Sequence, residues 1–279
     1  MLKFVVQEKL GLLKQNTYNS VNSLLDTLAL DLAAKVDAKI ANGETIGLLE
    51  GIPFGIKDVY MVQGTYTTAS SDLLKNYKSA YTATAIQKLL DAGAIPLVKE
   101  NCDSFGHGSS SENTIFGAVK NAIDPALVAG GSSGGSAVIV AKDYTVFSIG
   151  GDTGGSIRQP AGYNHIYGFK PTYGRISRFG LMAYASSTDC VGPLAKTIED
   201  IRIVLNVMSG KDPKDQTSVA STEISEDALA HSTVKTIGYF KNFIDSEAID
   251  AQIKADFLAS IEKIKAKGIE VKELDFFKS

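Results

Sequence analysis

The chain has 279 residues, 44% of them hydrophobic and 21% charged, with a formal net charge of −3 and no basic block. That is globular composition, enough for one large α/β domain or two small ones, and it announces no nucleic-acid-binding surface. Two distant cysteines, Cys102 and Cys190, make no disulfide framework, and no run approaches the roughly 20 apolar residues of a membrane span, so a cytoplasmic protein with reduced thiols is expected.

The opening MLKFVVQEKLGLLKQN holds a short apolar run without the cleavage signal of a secretory leader. Residues 18–42 carry apolar positions at helical spacing, with Gly43 beyond, and predict one amphipathic helix. IPFGIKDVYMV, rich in β-branched and aromatic residues, predicts a strand that holds Lys57. TATAIQKLLDAGAIPLVKE predicts a helix, a stop at Gly93 and a buried strand. Strand and helix alternate again over 143–149, 196–209, 234–240, 248–267 and 269–275. Thr197 and Asp200 have the spacing of a capping box, and Gly210 closes that helix. Such alternation predicts an α/β fold with a parallel or mixed sheet. The polar stretch 210–232 predicts a long surface excursion. VKELDFFKS ends the chain just after a predicted strand, so the sheet reads as unfinished.

One phrase asks for a separate explanation. GGSSGGSAVIVAKDYTVFSIGGDTGGS, residues 130–156, sets small hydroxyls among paired glycines twice, on either side of an apolar run. Glycine loses the most backbone freedom on folding, so the repetition needs a reason. A flexible linker would not contain VIVAKDYTVFSI, which must be buried. A phosphate-binding loop would carry a lysine after its second glycine, and none is present. Ser133 is formally the centre of a G-x-S-x-G elbow, but the residues before it make a poor strand. Of the three histidines, His107 precedes the elbow, His231 sits in the polar excursion and His165 lies in a buried turn or strand; each reads as structural. The S-x-x-K match from Ser232 to Lys235 is weaker still, because TVKTIGYF reads as a strand.

Ser156 offers more. A strand runs into DTGGS and then a short helical pattern, so the amides of Thr153, Gly154, Gly155 and Ser156 have no intrahelical partners and stand ready as an oxyanion hole. The base that is missing can be a lysine, if burial keeps it neutral. Lys57 sits in an apolar strand, where a lysine is costly. An edge lysine reaching water, or one paired with Asp58, explains its position equally, and on position alone that account leads.

At this point the residues resemble the amidase signature family, serine hydrolases with a Ser-Ser-Lys triad. GIPFGIKDVYMVQGTYTTASS resembles its lysine segment, and GGSSGGSAV followed by GGDTGGSIRQPAG resembles its signature, with Ser132 and Ser156 twenty-four residues apart. The resemblance implies a central, mixed, twisted β-sheet covered by helices on both faces, forming one domain over 1–279 whose C-terminal part is missing. It implies Ser156 as nucleophile, Ser132 as a bridging serine after a cis peptide, and Lys57 as base. Asp103, Ser109 and Ser110 fall where the family builds part of its substrate pocket. Ser133, Asp152 and Arg158 are expected to support the site, Asp152 and Arg158 as an ion pair bracing the loop. No metal is implied.

Within the family, KPTYGRISRFGLMAYASSTDCVGP and FGHGSSSENTIFG look most like the glutaminase subunits of amidotransferases that convert Glu-tRNA(Gln) to Gln-tRNA(Gln). Glutamine would be the substrate and ammonia the product passed on. Tyr173, Arg175, Ser177, Arg178 and Phe179 would wall the pocket. The partners implied are a B subunit, which contacts the tRNA and needs ATP and Mg, and a small C subunit; this chain itself would bind no cofactor and no membrane. A stand-alone amidase for small or aryl carboxamides, or an inactive scaffold that keeps the fold, are the other readings.

Overall fold

The computed structural model describes residues 1–225 and 233–276. They fall into two compact units, 1–223 and 224 onward. The first is built on a six-stranded mixed sheet: β1 Val21–Leu24, β2 Pro53–Lys57, β3 Ile95–Glu100, β4 Phe147–Asp152, β5 Tyr167–Gly168 and β6 Cys190–Ala195, in the order β1-β3-β2-β4-β6-β5. β3, β2 and β4 run parallel, and β1 and β6 join them antiparallel. β3 and β6 are buried along their whole length, which is why β6 and the first four residues of β3 are apolar without alternation; Lys99 and Glu100 close β3 as buried charged residue types. This is the mixed α/β architecture that the sequence predicts.

Six helices accompany the sheet: α1 Leu2–Gln15, α2 Asp26–Ala41, α3 Thr84–Asp91, α4 Gly134–Ala141, α5 Arg158–Tyr163 and α6 Ile198–Met208. Val6, Leu10 and Leu13 put one face of α1 onto Ala29 and Ala33 of α2 and onto Ile95, Leu97 and Val98 of β3. Burial of each such leucine contributes about 1.5–3 kcal/mol. α4 is short and apolar nearly all round, and it lies wholly inside the unit. Thr197 caps α6 through the amide of Asp200, as its spacing predicts.

Two expectations need correction. Residues 18–42 are not one helix. Asn16 and Asn19 take positive φ, the Asn16 side chain clasps both backbone groups of Val21, and Val21–Leu24 pairs with β3 before α2 begins. Strand pairing outweighs local helical spacing there. Nor is the described part of 210–232 simply a surface excursion. Asp212, Asp215 and Ser218 are buried, and the Ser177 hydroxyl and Arg178 amide donate to the two carboxylates at 2.6 and 2.8 Å. His231 and Ser232 lie outside the described residues.

The second unit carries β7 Thr236–Phe240 and β8 Glu270–Leu274, paired in parallel, with α7 Lys241–Ile244 and α8 Ala251–Lys265 between them. Asp250 caps α8. Among the described residues no helix is long and apolar enough to cross a membrane.

Candidate active site

β2 ends at Lys57, and the chain turns away at once, with the Asp58 amide donating to the Glu100 carbonyl. Lys57 is 2% exposed. Its Nζ lies 2.6 Å from Ser132 Oγ and 3.5 Å from the Gly151 carbonyl. Burial pushes the lysine below its ordinary value, against the opposing pull of Cys102, Asp103, Asp152 and Asp189. Asp58, the partner that the alternative reading gave it, belongs to Lys99: the two meet at 2.7 Å, both fully buried. The Lys57 amine is therefore desolvated and aimed at a hydroxyl.

Ser132 reaches that amine from the turn before α4. The Gly131–Ser132 peptide is cis. A side chain at Gly131 would drive into the Ser110 amide at 2.8 Å, which is the physical use of glycine in the first phrase. Ser133 follows as the helix cap position. Its amide donates to the Ser156 carbonyl at 3.2 Å and its hydroxyl to the Gly151 carbonyl at 3.3 Å. The two phrases are thus held against each other.

Ser156 lies on the turn between β4 and α5, half-buried. Asp152 organises that turn. Its carboxylate accepts from the amides of Gly155 and Ile157 at 2.8 and 3.1 Å and from two guanidinium nitrogens of Arg158 at 3.0 Å. Burial alone would raise the Asp152 carboxyl, but the Arg158 guanidinium and the Ile157 amide outweigh it and hold it below the usual carboxylate range. The bond to Asp152 also corrects one expectation: the Gly155 amide is occupied and not free for an oxyanion. The amides of Thr153, Gly154 and Ser156 meet no acceptor among the described residues.

These elements border a cleft of about 460 Å³ lined by Thr153, Gly154, Gly155, Ser156, Gln159 and Ser109, with Tyr184 and Thr188 on the facing side. A void of about 20 Å³ beside it touches Lys57, Ser132 and Asp189, room for roughly one water. Ser109 lines the cleft. Ser110 is half-buried and outside that lining, and Asp103 is wholly buried, accepting from the amides of Ser111 and Asn113. Arg178 and Phe179 line a separate cavity of about 210 Å³. His107 packs edge-on against Tyr184 at the rim, and His165, read as buried, is exposed on a turn. The Cys102 thiol is pushed up to about 11 by burial, as suits an inert core residue.

Two contributors escape sequence reading. Asp189 accepts from the Thr153 hydroxyl at 2.6 Å and from the amides of Tyr184 and Ala185, joining the two walls of the cleft. Gln159 Oε1 accepts from the Gly131 amide at 2.9 Å. Their only sequence signal is proximity to the motifs.

Residues 8–279 match the family described as Amidase. The chain is 45% identical over 258 residues to the A subunit of glutamyl-tRNA(Gln) amidotransferase from Koribacter versatilis, a match that covers 92% of this chain and 54% of that one. To its counterpart from Nostoc punctiforme it is 53% identical over 191 residues, 68% of this chain and 39% of the relative. Its fold is similar to the crystal structure of the counterpart from Thermotoga maritima, with TM-score 0.79, 36% identity and coverage of 83% and 51%. It is also similar to a peptide amidase in complex with the competitive inhibitor chymostatin, with TM-score 0.85, 27% identity and coverage of 98% and 58%. The chain spans about half the length of these relatives.

Proposed function

The chain belongs to the amidase family, and we propose that it hydrolyses carboxamides with Ser156 as nucleophile, Ser132 as relay and Lys57 as base. The observation that carries this reading is the desolvated Lys57 amine 2.6 Å from Ser132 Oγ, on the edge of a cleft that Ser156 lines. Ser156 Oγ attacks the amide carbon while its proton passes to Ser132, whose own proton passes to Lys57. The Gly154 and Ser156 amides stabilise the charge gained by the carbonyl oxygen. Collapse of the adduct breaks the C–N bond, and Lys57 returns the proton through Ser132 to the departing ammonia. Water then clears the acyl-enzyme by the same relay.

We further infer that the amide is that of glutamine and that the ammonia serves an amidotransferase complex. The 45% identity to the glutamyl-tRNA(Gln) amidotransferase chain of Koribacter versatilis supports this. ATP, Mg and the tRNA then belong to a B subunit, with a C subunit beside it, and this chain's own step uses no cofactor. The fit to the peptide amidase over 98% of the chain favours a second reading, a stand-alone amidase. The test is intact-mass measurement after exposure to an electrophilic glutamine analogue, alone and with B and C subunits added. A single adduct on Ser156, absent from Ser156→Ala, is the expected result. Labelling by simple aryl amides but not by the glutamine analogue would favour the second reading, and no adduct in any arm would overturn both.

A further inference from the structure

One fully buried ionisable group beside the relay takes no part in the steps above. Glu100 ends β3 and is the register partner of Lys57 on β2, so both side chains rise from the same face of the sheet. They meet hydroxyls four residues apart: Lys57 meets Ser132, and Glu100 Oε2 lies 2.5 Å from the hydroxyl of Ser136 on α4. Gly55 leaves room for the Glu100 carboxyl, since a side chain there would collide with it. The carboxyl crosses over Gly55 to β4, where Ser148 Oγ is 2.6 Å from both of its oxygens.

Every nearby charge is engaged elsewhere. Lys99 points to the other face of the sheet, onto Asp58, the Tyr60 carbonyl and Thr67. Asp103 is held by backbone amides, Asp152 by Arg158 and amides, Asp189 by the Thr153 hydroxyl and the amides of Tyr184 and Ala185, and Lys57 itself turns to Ser132. Among the described residues no cation forms an ion pair with Glu100. A buried carboxylate in that position would be costly, whereas the protonated acid needs only an acceptor. Ser148 is one. With the proton on Glu100, the Ser148 hydroxyl accepts it and keeps its own proton for the Gly55 carbonyl, 3.2 Å away.

We propose that Glu100 is a positioning residue for the relay: it stands as a neutral carboxylic acid beside Lys57, so that the register partner of the lysine adds no anion to those that favour a proton on it. The inference rests on the reading of Lys57 as base. Burial displaces both groups toward their neutral forms, Glu100 up to about 8 against the opposing pull of Lys57 and Lys99, and Lys57 downward. Glu100 lines neither the cleft nor the void, and its proton stays in place while the reacting proton moves between Ser156, Ser132 and Lys57.

The test is infrared difference spectroscopy of the resting chain against Glu100→Gln, with no substrate present. A protonated-carboxyl stretch at neutral pH, absent from the variant and fading as pH rises past about 8, is expected. Ser148→Ala guards against a variant that fails to fold: it should retain the band, moved to higher frequency by loss of one hydrogen bond. Absence of the band from the folded chain at pH 7, or a band indifferent to Ser148, overturns the proposal. Because the measurement needs no turnover, it is independent of whether Ser156 takes an adduct.

Discussion

The backbone amide of Ser133 donates to the carbonyl of Ser156 at 3.2 Å, and the amide of Gly131 to the side chain of Gln159 at 2.9 Å. Ser132 lies between the two donors, so one of its neighbours is tied to the turn that carries Ser156 and the other to the helix that follows it. The Gln159 tie can be cut by mutation without touching either serine. Gln159→Leu is expected to slow labelling of Ser156 by about tenfold, the scale of one lost hydrogen bond at a positioned group. Gln159→Glu keeps the acceptor and should recover most of the rate. Equal losses in both variants would show that the acceptor is not what counts.

Lys57→Met separates chemistry from folding. Removing a general base costs roughly 10²–10⁴-fold in rate. The same change removes a buried amine whose burial is unfavourable, and methionine fills similar volume. Ammonia release should therefore collapse while the thermal midpoint stays level or rises. A large fall in stability would mean that Lys57 braces the fold, and the base assignment would lose its support.

Asp152 and Arg158 form one ion pair with unequal consequences. Asp152 is buried and serves two amides as well as the guanidinium, while the Arg158 side chain is 52% exposed. Asp152→Asn leaves donors facing donors and should cost on the order of 1–3 kcal/mol, whereas Arg158→Leu should cost about 0–1 kcal/mol. The sign with pH follows from the lowered Asp152 carboxyl. Its contribution is present above the ordinary carboxylate range and is lost as pH falls through the lowered folded value. Unfolding midpoints from pH 7 to pH 3 should fall less steeply in Asp152→Asn.

The sequence displays Lys57, Ser132 and Ser156 because the proposed relay demands those residue types and because glycine leaves a trace wherever backbones must approach. Asp189, Gln159 and Glu100 leave no such trace. Each acts through partners that only the tertiary fold supplies: Thr153 and Tyr184, the Gly131 amide, and the hydroxyls of Ser136 and Ser148. The strand order is equally out of reach, since helical spacing over 18–42 says nothing of the pairing of Val21–Leu24 with β3. Asp212 and Asp215 read as surface charge in the sequence, and only the fold brings Ser177 and Arg178 to bond them. Local chemistry is legible in one dimension, and long-range partnership is not.

Lys57 and Glu100 should act oppositely on stability as pH rises. Glu100 has an ordinary value of 4.5 and a folded value of about 8, so between those limits the folded chain binds the extra proton and stability falls with rising pH. Lys57 is shifted down from 10.5, so above its folded value the unfolded chain binds the extra proton and stability climbs again toward that limit. Between pH 5 and pH 8, denaturant unfolding should show the wild-type chain losing stability on the order of a few kcal/mol through Glu100. Glu100→Gln, which cannot ionise, should lose correspondingly less over the same interval. If both chains decline in parallel, Glu100 takes up no proton on folding in that window, and a different group governs the alkaline side.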